Sequence, residues 1–276
     1  MDFVCPKCGG ALLLRENSYV CPSAHSYDLA RAGYVNLLPP SGSSGHGDNK
    51  EMIAARREFL DTGHYLPLAT RVCELAAEYV EKNAAVIDIG CGEGYYTDML
   101  ERKLRTRDGD SRVSAFDISK DAVKHVRARN KNITLAVASA YSIPARDSAF
   151  SAAVNMFSPL AREEILRILG DGGIFIMVFP AEEHLFGLKA AIYDEPYKNA
   201  PEELALPGFE LLKSERLSYE ITLNGAREIG SLFMMTPYAY RTKKENRERV
   251  FALEELKTAV DFYICIYRKL EGRGYG

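Results

Sequence analysis

The most constraining feature of this 276-residue chain is a short apolar segment that leads directly into three closely spaced glycines. Residues 86–89 are followed by Gly90, Gly92 and Gly94, and a helical pattern begins at Tyr95. A short apolar run bounded by glycines and followed by a helix predicts a buried parallel strand that enters a tight turn. Open α/β sheets bind their ligands at such turns. The sequence therefore predicts a doubly wound α/β sheet with a ligand site at these glycines.

The spacing of the glycines argues against a dinucleotide site. A nicotinamide dinucleotide site requires a third small residue for close helix packing, and Tyr95 occupies that place here. Glu93 lies inside the turn, where its charge repels a pyrophosphate but suits a ligand that carries sulfonium and amino groups. An NAD-dependent oxidoreductase is therefore a less favoured alternative.

An acidic residue at the end of the next strand supports a nucleoside-containing ligand. Residues 112–117 form a predicted strand that ends at Asp117, 27 positions after Gly90. A carboxylate at this place can accept hydrogen bonds from both ribose hydroxyls. Asp88, inside the first strand, is either part of the site or a core carboxylate that ties the loop together. The loop resembles the S-adenosylmethionine (SAM) loop of Rossmann-like methyltransferases.

The N-terminal segment carries a metal-binding pattern. Cys5, Cys8, Cys21 and His25 have the spacing C-x2-C-x12-C-x3-H, which allows two short turns to bring four ligands to one tetrahedral zinc ion. Residues 11–20 between the pairs predict a β-hairpin. Because such a ribbon is too small to fold on its own apolar core, the metal would supply its folding energy. Four filled positions indicate a structural rather than a catalytic Zn²⁺.

Composition narrows the protein class. The chain has no run of 18 apolar residues and no basic-then-apolar leader, so we expect a cytoplasmic protein with no membrane contact. Cys73, Cys91 and Cys265 lie in helical or strand patterns, which predicts reduced core thiols. The net charge of −3 argues against nonspecific coating of nucleic acid.

The remaining pattern alternates strands with helices. Residues 39–50 are rich in serine and glycine and predict a mobile linker or lid. Helices are predicted at 51–60, 68–81 and 95–105, and further strands at 133–137, 149–157, 172–179, 218–223 and 258–267. This order predicts a parallel sheet with helices on its faces.

Several motifs in the same order resemble a known family, the bacterial 23S ribosomal RNA guanine-N1 methyltransferases, and the match covers nearly the whole chain. The motifs are the zinc pattern, Gly-Tyr-Val-Asn-Leu-Leu at 33–38, Ala-Arg-Arg-x-Phe-Leu with Gly-His-Tyr at 55–65, Asp-Ile-Gly-Cys-Gly-Glu-Gly-Tyr-Tyr-Thr at 88–97, and Met-Thr-Pro-Tyr at 235–238. Some members carry arginine and tyrosine in place of Asn155 and Phe157, which puts a catalytic role for these two positions in doubt.

The resemblance implies a Rossmann-like class I methyltransferase fold with a small N-terminal zinc ribbon. It implies a zinc-binding ribbon for RNA recognition at 1–37, a linker or lid and a helix at 38–60, and a SAM-dependent methyltransferase domain at 61–276. The implied partners are a 23S rRNA hairpin and a second copy of the chain in a homodimer. It places SAM contacts at Tyr65, Gly92, Glu93 and His184. The pattern of the glycine loop and the next strand end adds Gly90 and Asp117 to the predicted SAM contacts.

The reaction needs a group that accepts or positions the guanine N1 proton. Asp147, Asn155, Glu182 and Glu183 are candidates by position, and the sequence does not choose among them. Arg56 and Arg57 are either phosphate contacts near an RNA entrance or solvated helix residues. A noncatalytic zinc-ribbon RNA-binding adaptor is the second alternative function.

Overall fold

The computed structural model describes residues 1–39, 47–201 and 203–272. Most of the predicted linker at 39–50 lies outside these residues. The strands are β1 Leu13–Arg15, β2 Ser18–Val20, β3 Ser26–Asp28, β4 Tyr34–Asn36, β5 Ala85–Ile89, β6 Arg112–Asp117, β7 Thr134–Val137, β8 Phe150–Met156, β9 Leu169–Pro180, β10 Phe209–Asn224 and β11 Glu255–Lys269. The helices are α1 Lys50–Asp61, α2 Leu66–Tyr79, α3 Tyr95–Asp108, α4 Lys120–Arg129, α5 Arg162–Ile168, α6 Phe186–Ile192, α7 Gly225–Met234, α8 Tyr238–Arg241 and α9 Lys244–Phe251.

The main sheet has the strand order β10-β11-β9-β8-β5-β6-β7-β4. Its strands from β9 to β4 pair in parallel, and β11 and β10 add an antiparallel edge. The strand β5 lies at the centre because its apolar residues are buried on both faces. The chain runs outward through β6 and β7 on one side of β5 and through β8 and β9 on the other, which creates a switch point at the carboxyl end of β5.

The two faces of the sheet are covered differently. One core cluster joins the sheet to α2, α6 and α7 and includes Phe59 from α1. The opposite cluster joins the sheet to α5 and to the ribbon, and it contains the fully buried Phe3. Helices on both faces of a largely parallel sheet are the doubly wound arrangement that the alternating pattern predicted.

The ribbon is joined to the main sheet by backbone pairing. The predicted hairpin is confirmed, with Arg15 opposite Ser18 across the turn. The Val4 N–H donates to the Pro144 carbonyl at 2.7 Å. The strand β4 was not predicted from the sequence, and it pairs in parallel with β7 at the edge of the main sheet. The last strand of the 1–37 segment is therefore hydrogen-bonded to the large sheet.

The other predicted elements agree with the structure except at their ends. The strand predicted from residue 218 begins at Phe209, because it continues as the long partner of β11. The helix predicted at 68–81 spans Leu66–Tyr79 and holds Pro67 in its first turn, where a proline has no N–H to lose. The side chain of Asn49 caps α1 by accepting from the Met52 N–H at 2.9 Å.

Candidate active site and metal centre

A cleft of about 500 Å³ lies at the carboxyl ends of the central parallel strands. The six residues that were predicted to bind SAM all line it: Tyr65, Gly90, Gly92, Glu93, Asp117 and His184. The Met-Thr-Pro-Tyr motif at 235–238 and the segment at 156–159 complete the opposite wall. Folding therefore gathers residues from across the chain into one concave site. That they bind SAM stays a prediction.

The glycine loop brings bare backbone to the cleft. Gly90 has φ +78°, and a Cβ there would lie 2.4 Å from the Cβ of Ser158. Gly92 has φ +56°, and a Cβ there would meet no atom within 4 Å. Gly90 is therefore required by a neighbouring loop, whereas Gly92 leaves open space in which a ligand can approach the main chain.

Asp117 fixes the loop and faces the cleft. Its Oδ2 accepts from the Gly92 N–H at 2.9 Å and its Oδ1 from the Ser119 N–H at 2.7 Å. Burial raises the pKa of the Asp117 carboxyl, and these two backbone bonds oppose the rise. Since each carboxylate oxygen has a second lone pair, Asp117 can still accept from ribose hydroxyls.

Asp88 belongs to the core. Its side chain is 3% exposed and accepts from the Thr97 hydroxyl at 2.5 Å. Burial raises the pKa of Asp88 to about 6. Asp88 does not line the cleft. Of the two interpretations left open by the sequence, the structure supports the core carboxylate that ties β5 to α3.

Glu93 is 2% exposed and its two oxygens have different surroundings. Oε2 accepts from Arg129 Nε at 2.6 Å. Among the described residues Oε1 has no hydrogen-bond partner. Burial raises the pKa of Glu93, and Arg129 opposes that rise. Arg129 was not predicted from the sequence, because an arginine in the last turn of a surface helix gives no sign that its side chain reaches a distant loop.

Tyr65 and His184 form a buried pair that lines the cleft. The Tyr65 hydroxyl lies 3.5 Å from His184 Nε2, and the Asp261 N–H donates to His184 Nδ1 at 3.3 Å. Burial lowers the pKa of His184 to about 3, so the ring is neutral at physiological pH. Because Nδ1 accepts a hydrogen bond, the ring proton lies on Nε2 and points to Tyr65. The Tyr65 hydroxyl is then free to donate toward a ligand.

The segment after β8 presents an aromatic ring to the cleft. Phe157 is 42% exposed and has φ +62°, which costs energy for a residue with a side chain. Asn155 holds this conformation, since its Oδ1 accepts from the Ser158 N–H at 3.3 Å and its Nδ2 donates to the Pro159 carbonyl at 3.2 Å. The Ser158 hydroxyl donates to the Ile89 carbonyl at 2.8 Å. Asn155 is a brace for this loop.

The three candidate carboxylates for proton transfer lie outside the cleft lining. Asp147 is 80% exposed and pairs with Arg167. Glu182 pairs with Arg216 and Glu183 with Lys198. The acidic side chains that do line the cleft are Asp48, Glu93 and Asp117. Asp48 was missed because it lies within the serine- and glycine-rich segment at 39–50, where the sequence pattern predicts no local structure.

The two arginines of α1 have different environments. Arg56 lines the cleft, pairs with Asp48 and donates to the Met235 carbonyl at 3.3 Å. Arg57 lines a neighbouring open groove of about 830 Å³. Its Nε lies 3.9 Å from Asp61 Oδ2. The groove contains none of the predicted SAM-binding residues. Arg56 is thus part of the cleft wall, and Arg57 is the more accessible cation.

The four predicted metal ligands come together in the ribbon. The ligand atoms of Cys5, Cys8, Cys21 and His25 lie within 4.8 Å of one another. The Sγ atoms of Cys8 and Cys21 are 3.6 Å apart. Three thiol sulfurs and one imidazole at these separations suit a tetrahedral structural Zn²⁺. The Tyr27 hydroxyl lies 3.2 Å from Cys5 Sγ and orients that ligand from outside the cluster.

The cysteines outside the cluster, Cys73, Cys91 and Cys265, are buried free thiols, as predicted. No helix within the described ranges is long and apolar enough to cross a membrane.

Known protein families match both parts of this chain, a zinc ribbon and a methyltransferase domain. A zinc-ribbon family model described as RlmA, N-terminal, matches residues 3–42, and a methyltransferase domain model matches residues 86–173. A 23S rRNA (guanine(748)-N(1))-methyltransferase of Streptomyces fradiae is 32% identical over 95% of this chain and 95% of its own. The chain belongs to the 23S rRNA (guanine-N1)-methyltransferase family. This membership confirms the predicted family and disfavours the oxidoreductase and the adaptor.

Further similarities support the same assignment. A Bacillus subtilis protein described as a candidate 23S rRNA (guanine-N(1)-)-methyltransferase is 30% identical over 97% of both chains. The solved structure of a candidate methyltransferase from Bacillus halodurans covers 73% of this chain and 98% of its own, with a TM-score of 0.51 and 16% identity. This structural likeness confirms the class I methyltransferase fold. The chain is a SAM-dependent methyltransferase with a zinc ribbon.

Proposed function

We propose that this protein transfers the methyl group of SAM to N1 of a guanine in a hairpin loop of 23S rRNA. The cleft carries the proposal, because it places all six predicted SAM-binding residues beside the exposed ring of Phe157. Support also comes from the relative of 32% identity that is named for guanine-N1 methylation of 23S rRNA.

The substrate's chemistry explains why a loop is required. Guanine N1 lies on the Watson–Crick edge and carries a proton at neutral pH, so a paired guanine cannot react. In a hairpin loop the base is unstacked more easily and can enter a pocket. As N1 bonds to the methyl carbon, the bond from that carbon to the sulfonium sulfur would break, S-adenosylhomocysteine would leave, and the N1 proton would pass to solvent or to a base.

The wall formed by the glycine loop and β6 would hold the cofactor. When bound, SAM supplies an electrophilic methyl group on a sulfonium. Asp117 would accept from the ribose hydroxyls, Gly92 would leave room for the ligand against the backbone, and Oε1 of Glu93 would accept from the ammonium group. Each of these groups is already fixed by contacts within the protein, so little order must be created on binding.

The guanine is held by the opposite wall. The Phe157 ring is 5.3 Å from the Phe262 ring and 6.1 Å from the Tyr96 ring, measured between centroids. Phe157 therefore offers an exposed face at the end of an aromatic cluster, and a base can stack on it. The bracing by Asn155 and Ser158 holds this face near the cofactor wall, which favours in-line attack.

Transfer of labelled methyl from SAM to a 23S rRNA transcript tests the function. After nuclease digestion, the label should be found in 1-methylguanosine. A matched transcript with adenine in place of the target guanine should remain unlabelled. Label in another nucleoside would contradict guanine N1 as the target atom. Absence of methyl transfer by the metal-loaded protein would contradict the activity itself.

We further propose a division of labour along the chain. Residues 1–37 contribute RNA recognition, 38–60 form a linker or lid with a helix, and 61–276 bind SAM and carry out catalysis.

We also propose a cytoplasmic homodimer. Light scattering during gel filtration tests the dimer, because a mass of about one chain at working concentration would contradict it.

A further inference from the structure

The ion pair between Glu93 and Arg129 is unusual because it uses only half of a buried carboxylate. Arg129 Nε lies 2.6 Å from Oε2, while Oε1 is buried and has no partner among the described residues. Glu93 is one of the residues that line the cleft. A buried carboxylate oxygen without a donor is costly. The free oxygen therefore indicates that a ligand donor completes the site.

Arg129 is itself held firmly at the end of α4. Its Nη2 donates to Asp61 at 2.8 Å, and its guanidinium lies 5.5 Å from the centre of the Tyr95 ring. The helix packs closely on the glycine loop, since a Cβ at Gly94 would lie 2.8 Å from a Val126 methyl carbon. Arg129 thus reaches Glu93 from a fixed direction and determines which oxygen of the carboxylate remains without a partner among the described residues.

We infer that Arg129 is a positioning residue for the amino-acid end of SAM: it binds one oxygen of Glu93 and directs the other, ionised, to the ligand's ammonium group. This inference rests on the proposed SAM site and adds a residue to it. The nucleoside end of the ligand would lie against Asp117 and would not need Arg129.

The charge on Glu93 depends on the groups around it. Burial raises the pKa of the Glu93 carboxyl, Arg129 and Arg57 lower it, and Asp61 raises it. The nearby Tyr95 phenol has a raised pKa and is uncharged. Without Arg129 the pKa of Glu93 rises further, so the carboxylate would protonate as pH falls and would no longer attract a cation.

Arg129→Met tests the inference with two ligands. SAM contains the amino acid, whereas 5′-methylthioadenosine contains the nucleoside but no amino acid. By calorimetry, the variant should bind SAM on the order of tenfold to a hundredfold more weakly than the wild type. Its affinity for methylthioadenosine should change by less than about twofold, because the contacts of Asp117 remain.

The pH profile separates positioning from a merely structural role. Between about pH 7 and about pH 6, most SAM molecules carry the ammonium charge, so wild-type affinity should stay nearly constant. The affinity of Arg129→Met should fall as pH is lowered over this range, and Arg129→Lys should recover part of the loss. Arg105→Met is the matched control, since Arg105 pairs at 2.9 Å with Glu101, another buried carboxylate, outside the cleft lining.

The outcomes are distinct. Equal loss of SAM and methylthioadenosine binding in Arg129→Met would show a structural role and overturn the inference. Unchanged SAM binding with a flat pH profile would also overturn it. Failure of the wild-type protein to bind SAM would contradict the proposed function itself.

Discussion

The metal cluster and the cleft differ in what stabilises them. The four metal ligands lie between Cys5 and His25, and the short strands β1–β3 beside them have no fully buried residue. The cleft is built from segments between Gly47 and Phe262 and rests on a sheet with a buried centre. One site depends on a local set of ligands, the other on the fold of the whole chain.

This difference predicts different responses to damage. Loss of one metal ligand should unfold β1–β3, because little apolar burial remains to hold these strands. Loss of one cleft residue should weaken a single contact and leave the fold intact. The ribbon and the main domain are not fully independent, since Phe3 and Leu12 pack into the core under the main sheet.

The largest loss of stability and activity is expected from substitution of a metal ligand. Cys21→Ala should lose its zinc, unfold the ribbon and abolish RNA methylation, because structural zinc contributes roughly 10–16 kcal/mol in small zinc domains. SAM binding should persist. Metal analysis and hydrogen exchange measure the two regions separately. Cys73→Ala, which removes a buried thiol outside the ribbon, should keep its zinc; wild-type protein purified without chelator and free of zinc would contradict the prediction.

The next effect is expected from the cofactor wall. Asp117→Ala should weaken SAM binding by roughly 1.5–3 kcal/mol for each charge-assisted hydrogen bond lost. Calorimetry measures this change. Asp121→Ala is the control, because Asp121 pairs with Lys124 and does not line the cleft. Unchanged affinity in Asp117→Ala would show that the carboxylate only braces the loop.

A smaller effect is expected from the base wall. Phe157→Gly keeps the positive φ without strain and removes the ring, so the KM for RNA should rise by the equivalent of about 1–3 kcal/mol of lost stacking. Phe157→Tyr should stay near the wild type. SAM affinity should change little in either variant. Equal KM values for the glycine and tyrosine variants would end the stacking role.

The smallest effect is expected from α1. Arg57→Ala should reduce the slope of RNA affinity against salt by about one phosphate contact, with SAM affinity unchanged. Arg56→Ala should instead weaken SAM binding, because Arg56 holds the cleft wall. RNA binding across a salt series measures the slopes. Identical slopes for Arg57→Ala and wild type would leave Arg57 as a solvated helix residue.

The two regions also differ in how much the sequence reveals. Ligand spacing predicted the zinc cluster because all its members lie in one short segment. The glycine loop and Asp117 were also predictable, since strand ends mark the binding edge of a parallel sheet. Strand β4 was missed because three residues carry no periodicity. Pairing of β4 with β7 depends on tertiary contacts alone.

The finer geometry of the cleft could not be predicted. The positive φ of Phe157 is imposed by the amide of Asn155, not by its own residue type. The hydrogen bond from Arg129 to Glu93 joins the end of α4 to the glycine loop that precedes α3. Such contacts follow from how elements pack, and a single sequence records the elements but not their mutual distances.

Reverse transcription of 23S rRNA tests the central claim most directly, because a methyl group on guanine N1 blocks pairing and stops the polymerase. RNA should be compared from cells without this gene, with the wild-type gene restored, and with Asp117→Ala restored. The account predicts one stop, opposite a guanine in a hairpin loop, that returns strongly with the wild type and weakly with the variant. Read-through at every hairpin-loop guanine in all three samples would contradict it.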